Sequence, residues 1–88
     1  PYIVLETLAA GKSMIATAVG GIPEILGAGS PALIRPDPRE LGDKMSAALA
    51  DPKAYGALMP DTADLKARFG ADVMAAAIET AYFAALKR

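Results

Sequence analysis

Gly11, Lys12 and Ser13 stand in the order that closes a phosphate-binding loop, so the first question is whether this chain holds a nucleoside triphosphate there. That loop reads G-x-x-x-x-G-K-[ST] and lies between a strand and a helix. Its first glycine would fall at position 6, which is Glu6. The run before Gly11 is helix-like and the run after it is strand-like, the reverse of the required order. Both tests exclude the loop. Lys12 then reads as a cation at a helix C-terminus, where the dipole favours it. Residues 27–32 spell a second motif, G-x-G-x-x-A, the dinucleotide fingerprint. No strand precedes it, no helix follows it and Pro31 is ill placed, so it reads as a turn. Glu6 is the remaining oddity: a carboxylate among Tyr2, Ile3, Val4, Leu5, Leu8, Ala9 and Ala10, on a segment with little polar face. At a buried edge such a group needs a partner.

The composition removes much of the usual chemistry. The 88 residues contain no Cys and no His, which excludes thiolate and imidazole metal sites, Cys nucleophiles and His bases. The net charge is −1, so no broad field favours nucleic acid, and no nucleic-acid partner is expected. No uninterrupted apolar run reaches the ~20 residues that cross a bilayer. The first residue is Pro1 and not Met, which is compatible with a processed chain or a fragment. A single domain of this length buries only about two-thirds of its unfolded surface. Much of the apolar content is Ala, which adds helix propensity but little buried area. Such a chain is expected to lean on partner structure.

The elements that would position these groups follow from pattern. Residues 2–10 read as a helix stopped by Gly11, because glycine tolerates the left-handed backbone there. Residues 13–19 read as a short buried strand ended by Gly20 and Gly21, 22–26 as a short helix with Pro23 near its start, and 32–35 as a second strand. Asp37, Pro38 and Glu40 give an N-cap, a proline at the first helical position and a capping-box-like partner. Leu41, Met45, Ala48 and Leu49 then form one helix face. Asp51 and Pro52 repeat the device for a helix near 52–58. A further helix covers about 61–69, and the last, over 71–87, puts Met74, Ile78, Tyr82 and Leu86 on one stripe expected to pack as core, with Phe83 widening it. Asp37, Glu40 and Asp51 are caps and not catalysts. Two short strands with a helix between them make one βαβ unit of a parallel sheet, too little for a stable α/β domain alone. The expected fold class is α/β: the C-terminal portion of a doubly wound, Rossmann-like parallel-sheet domain, with two short strands and several helices.

Residues 4–26, "VLETLAAGKSMIATAVGGIPEIL", resemble the retaining GT-B glycosyltransferases of family 4, the glycosyl transferases group 1. Glu6 matches the second glutamate of their E-x7-E motif, Ala9, Ala10 and Gly11 match A-x-G, Met14 to Thr17 match the V-I-A-t strand, and Gly20 to Glu24 match the G-G-x-x-E turn. The segment 32–52 and the last helix after Arg68 and Phe69 resemble the family's closing segments, so the likeness covers nearly the whole chain.

That resemblance implies residues 1–88 as part of the nucleotide-sugar-binding C-terminal domain, with 71–88 as the closing helix that crosses back to the N-terminal domain of the same protein. The implied reaction moves a sugar from a nucleoside diphosphate sugar to a sugar or lipid-linked acceptor with retention, without a bound metal or other cofactor. Glu6 would accept two hydrogen bonds from the ribose diol. Pro1, Tyr2, Ile3 and Val4, at a helix N-terminus, would line the phosphates and the sugar largely through backbone groups. No residue of this chain is assigned a catalytic role, and the chain alone is expected to be inactive. The first glutamate and the family's basic diphosphate ligands fall outside the sequence. The implied setting is cytoplasmic, peripheral at the inner membrane face through parts outside the sequence. Gly20 and Gly21 serve a tight turn, or also border the donor pocket. Glu24 caps its own helix, or touches substrate. The family has glycine near Tyr2, so Tyr2 crowds a backbone approach to the sugar. This supports a second reading, a non-catalytic GT-B-derived module kept for binding or packing. A third is another GT-B enzyme such as an epimerase.

Overall fold

A computed structural model describes residues 1–87. The order is α1 (Tyr2–Ala9), β1 (Ala16–Thr17), α2 (Ile22–Leu26), β2 (Leu33–Ile34), α3 (Pro38–Ala50), α4 (Pro52–Gly56), α5 (Thr62–Phe69) and α6 (Ala71–Leu86). The strands pair in parallel, Ala16 beside Leu33 and Thr17 beside Ile34, so the chain is a helix-rich α/β structure with a two-strand parallel sheet. The expected strands over 13–19 and 32–35 shrink to two residues each. A sheet of two strands is marginal by itself, and among the described residues each strand has one neighbour.

Local chemistry sets most helix boundaries. Asp37, Asp51 and Asp61 each accept a backbone N–H, from Arg39 at 2.9 Å, Ala54 at 3.1 Å and Ala63 at 2.7 Å. Each such cap contributes about 1 kcal/mol. At the end of α1, the Lys12 N–H reaches the Thr7 carbonyl and the Gly11 N–H reaches Leu8, with Gly11 at φ +73°. That is the left-handed glycine stop expected from the sequence. Glu40 departs from the expected capping box. It does not reach back to Asp37 but takes the Arg35 backbone N–H and the Arg35 Nε, each at 2.6 Å. A cation two residues before the cap outcompetes a neutral amide for the carboxylate.

The core gathers Val4 and Leu8 of α1, Ile25 and Leu26 of α2, and Ala32, Tyr55 and Leu65. Val4 and Leu8 are one turn apart on one face of α1, which explains why that short helix holds. Two expected packing faces stay open. No residue of α3 is buried, and Leu41, Met45 and Leu49 border an apolar groove of about 420 Å³ with Met14, Ile15 and Tyr55. The α6 stripe of Met74, Ile78, Tyr82 and Leu86 is exposed throughout. The physical reason is geometric: α6 packs only against α5 to any extent and then runs away from the core. The radius of gyration is 16.0 Å, against about 12 Å for a compact chain of this length. The accessible surface is 6293 Å², against roughly 4,900 Å² for a compact 9.0 kDa monomer.

The stretch Thr62–Leu86 is long and apolar enough to be a candidate membrane span, which a count of uninterrupted apolar residues overlooks. Gly70, at ψ 149°, breaks it into two helices. The 16 residues of α6 reach about 24 Å, short of the ~30 Å hydrocarbon core. Arg88, the last residue of the expected closing segment, lies outside the described residues.

Candidate functional site

The site is built from the start of α1 and the turn after β1. At an α-helix N-terminus the first N–H groups have no intrahelical acceptor. In α1 these belong to Tyr2 and Ile3, with no acidic residue in the first turn and no side-chain cap to occupy them. The Val4 N–H turns back to the Pro1 carbonyl at 3.3 Å. Val4 itself faces the core at 2% exposure, so only its backbone could meet a ligand.

Tyr2, Ile3 and Glu6 are spaced by three and four residues and so share one side of α1. That side is open: Tyr2 is 76% and Ile3 67% exposed, and Glu6 is exposed as well. Glu6 is therefore not a buried-edge carboxylate, as its apolar neighbours suggest. The core takes Val4, Leu8 and part of Leu5 from this helix, and Glu6 stands on the exposed side.

The chain leaves β1 at its carboxyl end and turns at Gly20, whose φ of +56° suits glycine. Gly21 then caps α2. A Cβ on Gly21 would stand 3.7 Å from the Pro1 Cδ, so Gly21 is within a methyl group's reach of the start of α1. Between them is a cavity of about 230 Å³, lined by Pro1, Tyr2, Gly21, Glu24, Phe69 and Met74 among others. The structure thus brings Pro1, Tyr2, Gly21 and Glu24 together. Ile3, Val4 and Glu6 are not among the residues lining that cavity; Ile3 and Glu6 stand on the adjoining open face.

Lys12 lies at the opposite end of α1, beside Ser13, Gly56 and Asp61, and takes no part in this site. The turn over 27–32 runs from α2 into β2, with the Ser30 hydroxyl accepting the Ala32 N–H at 3.1 Å. Neither segment has the strand–loop–helix order of a nucleotide loop, in keeping with the sequence.

Chemically, the arrangement offers backbone donors, two carboxylates and apolar walls. No Lys or Arg lines the cavity. It can orient a polar ligand, accept hydrogen bonds from hydroxyl groups and exclude water on one side, but it supplies no side-chain cation.

One residue that pattern reading passes over touches three residues of the cavity lining, Glu24, Ile25 and Phe69. Arg68 sends Nη1 to the Glu24 carbonyl at 3.0 Å and Nη2 to the Ile25 carbonyl at 3.1 Å. Its only sequence signal is Asp64 four positions earlier, which reads as an ordinary surface pair. No protein-family model matches the chain, and no curated protein and no solved structure matches it either.

Proposed function

We propose that this chain is part of the donor-binding C-terminal domain of a retaining GT-B glycosyltransferase of the family 4 type. The protein would transfer a sugar from a nucleoside diphosphate sugar to a sugar or lipid-linked acceptor. Diphosphate would meet the free N–H groups at the start of α1, and Glu6 would hold the ribose diol one turn further on. The N-terminal GT-B domain would supply the acceptor side and cover α6. The setting is cytoplasmic, where such donors are made, and the transfer needs no metal.

The observation that carries the reading is the nearness of Gly21 to Pro1, which line one cavity and would touch if Gly21 bore a Cβ. Two motifs twenty residues apart, the helix start and the Gly-Gly-x-x-Glu turn, meet at the carboxyl end of a parallel strand. Sites of doubly wound domains occur there. Beside it stands the ordered likeness of residues 4–26.

Calorimetry on the natural protein that carries these residues tests it, with UDP-, GDP- and ADP-sugars titrated in turn. One donor class should bind, and Glu6→Ala should weaken it about tenfold or more, the loss of charge-assisted hydrogen bonds. Absence of binding by all three classes, or an unchanged affinity in Glu6→Ala, refutes the assignment.

A second reading has its own observation. Tyr2 projects 76% exposed where the family keeps glycine, and it stands over the site. A non-catalytic module retained for binding or packing would tolerate that. Such a module neither transfers nor hydrolyses the donor, and product analysis separates the two.

A further inference from the structure

Helix α2 is only five residues long, and its last carbonyls have no donors within it. The Gly27 N–H takes the Pro23 carbonyl at 2.8 Å. The next two carbonyls, of Glu24 and Ile25, are taken by one guanidinium from a residue more than forty positions away, Arg68. That guanidinium is itself held. Its Nε and Nη2 meet the Asp64 carboxylate at 3.0 and 2.9 Å, and its plane lies 4.9 Å from the centre of the Phe69 ring. A planar fork with five donors can make these contacts together, whereas a lysine ammonium can make only some of them.

The clamp holds Glu24 and Ile25, two of the residues that line the cavity. α2 is capped by Gly21, which lines the cavity beside Pro1, and carries Glu24. Phe69, against which the guanidinium packs, lines the same cavity as Tyr2 and Glu24. α2 is also held by Ile25 and Leu26, buried with Val4 and Leu8 of α1, and by the partly buried Ile22. To that apolar packing Arg68 adds the polar tether at the end of α2.

We propose that Arg68 is the positioning residue of the donor site: fixed on Asp64 and Phe69, it clamps the end of α2 and so sets Gly21 and Glu24 against the start of α1, where a nucleoside diphosphate is held. This rests on the reading given under Proposed function. Arg68 does not touch the ligand. It acts through the backbone of α2.

The test uses the natural protein, with UDP, GDP and ADP as probes titrated separately, and the melting temperature of each variant measured in parallel. Arg68→Met keeps the aliphatic stem and removes the fork. It should weaken the best-bound diphosphate about tenfold. Arg68→Lys, which retains a charge and one donor direction, should lose about threefold and remain folded if the Met variant does not. Tyr55→Phe is the control. It removes a long-range hydrogen bond elsewhere in the fold, so it should lower the melting temperature while leaving affinity within about twofold. Affinity in Arg68→Met and Arg68→Lys that stays at the native value, or falls no further than in Tyr55→Phe at an equal loss of melting temperature, overturns the positioning role. If the native protein binds and Glu6→Ala weakens it while both Arg68 variants do not, only the role of Arg68 fails. If the native protein binds none of the three probes, the site reading fails and takes this role with it.

Discussion

The Tyr55 hydroxyl donates to the Met14 carbonyl across 2.7 Å, joining α4 to the chain just before β1 over a separation of 41 residues. Tyr55 is 7% exposed, and burial pushes its phenol above the ordinary tyrosine value. Removing the hydroxyl in Tyr55→Phe should cost about 1 kcal/mol in urea melts near neutral pH. The sign of the pH effect follows from the raised value. Below about pH 10 both folded and unfolded phenols are protonated, and nothing changes. Above it the unfolded phenol ionises first, so the native chain should lose stability as pH rises, and Tyr55→Phe should lose less.

Glu40 should dominate the acid side of the same profile. Its hydrogen bonds from the Arg35 backbone and side chain hold its carboxyl below the usual glutamate value. The stability from that pair is present above the ordinary glutamate range and is lost as pH falls through the lowered value. Glu40→Gln should flatten the loss seen as pH falls from the ordinary glutamate range toward the lowered value, measured by chemical denaturation at each pH. An unchanged acid slope would show the pair to be energetically idle.

Gly70 and Gly42 should respond in opposite directions to the same substitution. A Cβ on Gly70 would meet the Lys66 carbonyl at 2.5 Å and Asp72 Oδ1 at 2.9 Å. Gly70→Ala should therefore destabilise by about 1–3 kcal/mol, as the α5–α6 joint shifts to relieve the clash. Gly42 sits inside α3 with open space around it. Gly42→Ala should stabilise by roughly 0.5–1 kcal/mol through helix propensity alone. Thermal melts of the two variants side by side decide both.

Tyr2 should limit donor affinity if the site works as proposed. Its side chain is largely exposed, so Tyr2→Gly removes little buried surface. Clearing it should strengthen donor binding by about threefold on the calorimetric scale used for Glu6→Ala. Equal or weaker binding would mean that Tyr2 contributes contact area and does not crowd the backbone.

The natural protein should also carry an acidic residue eight positions before Glu6, completing the E-x7-E pair. Intact mass and N-terminal fragmentation of the isolated protein read that position directly. An apolar residue there would favour the non-catalytic module.

What was legible in the sequence was whatever is decided within about four residues. Asp37 and Asp51 cap the helices they precede, and Gly11 ends α1 with the backbone expected of it. The parallel βαβ unit followed from element order. What was not legible depends on distant partners. Periodicity identified the faces of α3 and α6 as apolar, but an apolar stripe does not say what covers it. In the structure Leu49 stands 76% and Ile78 67% exposed. Glu40 looked like half of a capping box because the competing Arg35 precedes the cap, outside the four-residue pattern. Arg68 was passed over because two of its partners are backbone carbonyls, which no side-chain motif records.

The outward course of α6 bears on how this chain opens as well as on its outline. A helix that leans mainly on α5 and buries none of its own residues can melt without disturbing Val4, Leu8 or Leu65. Its amides should then exchange with solvent through a local opening of small free energy, while those of α1 wait for the whole body to unfold. A protease given brief access would cut first near the Gly70 joint and leave the body behind as a separate, slowly digested piece.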